Sequence, residues 1–378
     1  MKKCVVVYDS FKGTVSSREI CEIAQQVIPR HFPACEVVCI PVADGGEGTV
    51  DCFIQAMGAQ RVEVTVTNAL GEKSAAAYAR IGELAIIEMG AAAGLPQVGA
   101  LRCPGTATTY GVGELIAHAV DSGCRKILLG LGGSATNDGG CGCAAALGVR
   151  FYDADGQSFV PVGDTLGRIA RIDTAEAEAL LRSVEITVMC DVTNPLYGPT
   201  GAAYVFAPQK GADAEKVKSL DAGLRHFGDV IRSQYGLDVS AMPGAGAAGG
   251  MGAGCVALLG GTIQSGIDAV LDVTGFDRQL EGADLVITGE GRIDSQSADG
   301  KVVSGVARRT RAKGVPLIAI AGGIADSAGA VYDIGVSAMF STDRAALPVD
   351  MLGARSPGDY EATLSDIMSL IAIAERFA

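Results

Sequence analysis

Five aspartates stand at or just past the ends of apolar, β-branched runs: Asp9, Asp44, Asp138 and Asp294 in polar, Gly-rich turns, and Asp191 ahead of a rigid Asn-Pro turn. A carboxylate in such a place can hold Mg2+ or accept a hydroxyl proton. Taken singly, each also reads as a helix cap or an Asx turn. The segments that carry them are YDSFK at 8–12, ADGGEGT at 43–49, GGSATNDGG at 132–140, CDVTNPL at 190–196 and TGEGRIDS at 288–295. Open parallel sheets bind ligands at the carboxyl ends of their strands, so five such turns in one chain point to a ligand cleft. In the third segment Gly132 and Gly133 allow close approach of an anion, and Ser134, Thr136 and Asn137 add neutral donors. A strand before this segment and a helix after it would aim backbone N–H groups at a phosphate. Lys12, Lys210, Arg292 and Lys301 are the basic residues near these turns.

Other chemistries find less support. There is no G-x-x-x-x-G-K-[ST] segment and no protein-kinase signature. The segment GAGAAG at 244–249 fits G-x-G-x-x-G, with Asp268 downstream, but the preceding SAMP at 240–243 is no strand, so a close-packed helix start is the better reading. His31, His118 and His226 lie in or beside helical stretches away from the Gly-rich turns, which argues against His-based nucleophilic catalysis.

The elements that must position these turns alternate. Residues 3–8 and 36–41 read as strands around a helix at 16–28, a βαβ opening that implies a parallel sheet. Short strands at 61–67, 75–80 and 84–88 follow, with no helix between the last two, so a domain change is expected near Thr67. A helix at 110–121, a buried strand at 126–131, a helix at 136–147, a strand at 184–191 and a helix at 214–235 come next. From Asp268 onward strict βα alternation returns. The expected fold is α/β with two α/β domains: a Rossmann/flavodoxin-like parallel-sheet domain from both chain ends (1–66 and 270–378) and an inserted mixed α/β domain (67–269) carrying the Gly-rich anion turn.

Composition narrows the function classes. The chain has 378 residues and a formal charge of −13, which disfavours nucleic acid as a partner. Any phosphate-bearing ligand must be held by local dipoles, a few basic side chains and a metal against that overall field. Eleven cysteines with no C-x-x-C pair suggest neither a disulfide framework nor a zinc site, and they read as small buried hydrophobes in a reducing compartment. No apolar run is long enough to span a bilayer, and the apolar stretch after Lys3 is closed at once by Asp9. A cytoplasmic protein is expected.

At its turns the sequence resembles the bacterial glycerate kinase family, type I and glycerate 2-kinase-like. The resemblance is carried by DSFK at 9–12, PVADGGEGT at 41–49, TTYGVGE at 108–114, GGSATND at 132–138, CDVTNP at 190–195, PQKG at 208–211 and GEGRIDS at 289–295. It implies that ATP and D-glycerate give ADP and a phosphoglycerate with Mg2+, in a two-domain fold whose cleft closes on the substrate. Phosphoryl transfer to an alcohol needs charge neutralisation, in-line positioning and a carboxylate for the hydroxyl proton. On those needs Asp191 is the expected base and Asp294 the second choice. Lys12 and Arg292 would hold the glycerate carboxylate or the transferring phosphate, with Asp9, Ser10 and Ser295 around the substrate. Gly132, Gly133, Ser134, Thr136 and Asn137 would hold the ATP phosphates, with Asp44 or Asp138 near Mg2+. The family resemblance favours 2-phosphoglycerate as product. The alternatives are a glycerate 3-kinase, a nicotinamide-dependent oxidoreductase resting on 244–249, and a non-catalytic sugar-acid sensor. The sequence leaves monomer and homo-oligomer equally open.

Overall fold

A computed structural model describes residues 1–8, 11, 14–42, 48–298, 301–345 and 355–377. The chain divides into two compact units: Met1–Asp44 together with Ile267–Ala378, and Gly45–Gly266.

The discontinuous unit is built on the β-branched run after Met1. Lys3–Tyr8 is a strand whose Cys4 to Tyr8 side chains are all buried, and it pairs in parallel with Glu36–Pro41 on one side and Leu285–Gly289 on the other. Leu317–Ala321 and Ala338–Ser341 extend the sheet beyond Leu285–Gly289, again in parallel. Numbered along the chain, the five strands lie in the order 2-1-3-4-5, that of flavodoxin-like folds. Strands buried on both faces read as continuous apolar runs, as 3–8 and 285–289 do. The helix Ser17–His31 opens with Ser16 accepting the Glu19 N–H and packs against the helix Ser356–Ala374, where His31 Nε2 lies 3.0 Å from Ser365 Oγ. Tyr8, Phe11 and Tyr360 form an edge-to-face cluster in the core below.

The continuous unit carries a six-stranded mixed sheet in the order Thr262–Gln264, Glu185–Met189, Lys126–Gly130, Leu84–Glu88, Lys73–Ile81, Gln60–Thr67. The first four are parallel, and the last two run antiparallel as a meander. A small antiparallel sheet of Arg150–Tyr152, Ser158–Phe159 and Arg171–Asp173 stands apart. The boundary expected at Thr67 is therefore misplaced. Gln60–Thr67 pairs along its whole length with Lys73–Ile81, and Glu114, on the helix Tyr110–Asp121, accepts the Thr67 N–H and the Lys73 ammonium. Those bonds fix the strand in the second unit.

The helix expected at 136–147 is also shorter, spanning Cys141–Ala146. Gly139 and Gly140 take φ of 64° and 75°, a left-handed pair that stops a right-handed helix from starting earlier. The cysteines whose side chains are described are all free, and burial pushes the thiols of Cys4, Cys141 and Cys143 well up. Among the described residues no helix is long and apolar enough to cross a membrane.

Candidate active site

In the continuous unit, register brings two of the sequence-derived segments to one sheet edge. Gly130 pairs with Met189, and Met189 with Gln264, so the residues that follow them leave the sheet side by side. After Gly130 comes the turn 132–140, and after Met189 comes Asp191. Asp191 is exposed, and its Oδ1 accepts the Gly266 N–H at 2.8 Å.

The turn is built from both sides. Gly132 and Gly133 are exposed, whereas every residue from Ser134 to Gly140 is buried. The segment that ends the neighbouring strand Leu84–Glu88 docks along it: Leu95 N–H donates to Gly133 O and Ala135 N–H to Ala93 O, both at 2.8 Å. On another side lies the run Ala248–Gly250, three consecutive left-handed residues that break the helix Ala247–Leu259. Gly249 takes φ +70°, and a Cβ there would stand 2.1 Å from Thr136 O and 2.5 Å from Asn137 Cα. The close packing expected of 244–249 is thus directed at the anion turn. No strand precedes the segment, so the dinucleotide fingerprint lacks its context.

Asp138 has a different place from the one expected. It is fully buried, with Oδ2 accepting from Thr109 N, Thr109 Oγ1 and Gly142 N, and Oδ1 from Gly140 N. Burial raises its pKa against these four bonds, which lower it. Both oxygens are engaged in closing the turn onto the helix Cys141–Ala146, and a metal would have to displace those donors. Among the described residues no group of three His, Cys, Asp or Glu could hold a metal ion.

Among the described residues, Thr136 Oγ1 and both Asn137 amide atoms are buried without a hydrogen-bond partner. Orphaned groups of this kind are costly unless a ligand or water completes them. The donor set suits phosphate oxygens, so the turn fits the nucleotide that the sequence implies.

Lys210, near the turns in sequence but given no role there, is the residue the sequence reading missed. Its Nζ donates to Ser134 Oγ and to Thr136 O, both at 2.7 Å. Burial lowers its pKa to about 7, with Asp138 opposing. The available signal was its place within PQKG at 208–211, one of the segments that carry the family resemblance.

The discontinuous unit holds the other expected residues. In the 2-1-3-4-5 order the switch point lies between Lys3–Tyr8 and Leu285–Gly289, whose ends Tyr8 and Gly289 are paired. Asp9, Ser10 and Lys12, expected after Tyr8, lie outside the described residues, as does Asp44. After Gly289, Arg292 is exposed, and among the described residues its guanidinium has no carboxylate partner. Asp294 accepts the Gln296 N–H at 2.8 Å in an Asx turn, and Ser295 N–H donates to Ser327 Oγ. The histidines have structural partners: His118 with Tyr78 OH, His226 with Ile169 O and His31 with Ser365.

The profile of the glycerate kinase family matches residues 4–372. A Bacillus cereus protein named glycerate kinase is 44% identical over 377 residues, 99% of each chain. An Escherichia coli protein named glycerate 2-kinase is 44% identical over 343 residues, 90% of each. A solved structure from Salmonella typhimurium LT2, described as a candidate glycerate kinase 2, superposes with a TM-score of 0.87 at 39% identity over 99% of both chains.

Proposed function

This chain belongs to the glycerate kinase family and is a phosphotransferase, and we propose that it uses ATP with Mg2+ to phosphorylate D-glycerate at the 2-hydroxyl. The observation that carries the reading is that the strands leading to Asp191 and to the turn 132–140 end side by side, Met189 paired with Gly130, and that the turn's buried Thr136 and Asn137 side chains have no partner among the described residues. Asp191 takes the proton of the glycerate 2-hydroxyl as its oxygen bonds the γ-phosphorus and the bond to the β-phosphate oxygen breaks, releasing ADP. Gly132, Gly133, Ser134, Thr136 and Asn137 hold the phosphates. Lys12 and Arg292 are assigned the glycerate carboxylate, with Asp9, Ser10 and Ser295 as further substrate residues. Asp294 is the second choice of base.

Mg2+ supplies charge neutralisation on the phosphates when bound; it needs few carboxylates of its own, and Asp44 is the residue left to provide one. The 2-position is favoured because the Escherichia coli relative is named a glycerate 2-kinase. Free cysteines suit a cytoplasmic enzyme of sugar-acid catabolism.

Incubation with ATP, Mg2+ and D-glycerate tests the reading: ADP should appear in step with glycerate loss, and enolase alone should convert the product to phosphoenolpyruvate. A requirement for phosphoglycerate mutase would move the transfer to the 3-hydroxyl. Binding without ADP release would leave a sensor.

A further inference from the structure

Lys210 ends the short 3-10 turn Pro208–Lys210 and is 2% exposed. An ammonium has three N–H donors. Two go to Ser134 Oγ and Thr136 O, and among the described residues the third has no acceptor. In the span it braces, Thr136 Oγ1 and the Asn137 amide are also buried and, among the described residues, unmatched. A buried cation that hydrogen-bonds neutral oxygens, with burial outweighing the attraction of Asp138, is a poor way to gain stability, since an apolar side chain of similar length fills the same space without the desolvation cost. The arrangement makes sense through its effect on the turn. Ser134 and Thr136 flank Ala135, so one ammonium fixes both ends of a three-residue span, while Gly249 backs Thr136 and Asn137 elsewhere.

We propose that Lys210 is a positioning residue for nucleotide, an internal strut that holds the buried span Ser134 to Asn137 in the shape that presents the exposed Gly132 and Gly133 end of the turn to the ATP phosphates. This rests on the kinase reading above. Loss of the strut should weaken nucleotide binding and leave the chemical step nearly intact once nucleotide saturates. A second cation should restore part of what a neutral side chain cannot.

The test is steady-state kinetics of wild type, Lys210→Met and Lys210→Arg, with ATP and D-glycerate varied in turn, together with ADP titration by calorimetry. Lys210→Met should raise KM for ATP and Kd for ADP by about tenfold or more, with kcat and KM for glycerate within about threefold, and Lys210→Arg should fall between. A Lys210→Met enzyme with ATP KM within twofold of wild type overturns the proposal. So does an equal rise in both KM values with no recovery by arginine, which marks general loosening. If Lys210→Met does not fold, Lys210→Gln is measured in the same way; failure of both to fold also overturns it, since the lysine would then serve the fold. Wild type that releases no ADP defeats the kinase reading instead, and the ADP titration alone then decides on the strut.

Discussion

At the scale of single residues, Asp191 and Lys210 separate chemistry from positioning. Asp191→Asn should lower kcat by about 10²-fold or more with little change in KM for ATP, because a general base acts on the transition state. Near-wild-type turnover in the folded variant would shift the role to Asp294. Lys210 also makes stability depend on pH. Its folded pKa of about 7 lies below the ordinary lysine value, so between roughly pH 7 and 10.5 the unfolded chain binds more protons. The burial penalty is complete below pH 7 and fades as pH rises through that window. Relative to Lys210→Met, wild type should therefore gain up to about 1.4 kcal/mol per pH unit above pH 7. Urea unfolding of both proteins at pH 7.5 and 9.5 reads this, and a constant difference would contradict it. Asp191 and the hydroxyls of 134–137 were legible because polar, small residues crowd directly after apolar strands. The role of Asp138 was not, since its donors come largely from Thr109, far back in the chain, and burial is invisible in a string of letters.

At the scale of elements, the anion turn is a joint product of several segments. Gly249→Ala puts a methyl group against a backbone carbonyl as well as forcing a left-handed alanine, and should cost about 3 kcal/mol. Gly236→Ala is a fitting comparison: φ there is +68°, yet nothing lies within 4 Å, so about 1 kcal/mol is expected. Chemical denaturation gives both numbers, and the Gly249 variant alone should also raise KM for ATP. Strands such as Lys3–Tyr8 and Lys126–Gly130 were plain from their apolar runs. The helix read at 136–147 failed because helical spacing in a Gly/Ala/Cys stretch says nothing of Gly139 and Gly140 turning left-handed under the four bonds to Asp138.

At the scale of the whole molecule, βα alternation at both chain ends was readable. The change of unit after Asp44 was not, because Gln60–Thr67 is as good a strand for either sheet and only its pairing decides. The division makes a prediction about fragments. Residues 45–266 own a complete sheet and core, and expressed alone they should unfold cooperatively. Residues 267–378 lack Lys3–Tyr8, the helix Ser17–His31 and Glu36–Pro41, and with them Tyr8, Ile20 and Val27 of the core. That fragment should show no cooperative transition until residues 1–44 are supplied as a peptide. A cooperative transition without them would show the sheet to be self-sufficient.

The interior place of Lys3–Tyr8 also sets a timetable. The strand leaves the ribosome long before its partner Leu285–Gly289, which is made only after more than 270 further residues. At a synthesis rate of roughly 5–20 residues per second that is a wait of about 14–55 s. Through that interval a β-branched strand, KCVVVY, keeps an unpaired edge of backbone donors and acceptors, the kind of surface that recruits another chain. The nascent protein thus has a window of vulnerability during translation, one that closes when the last third of the chain arrives.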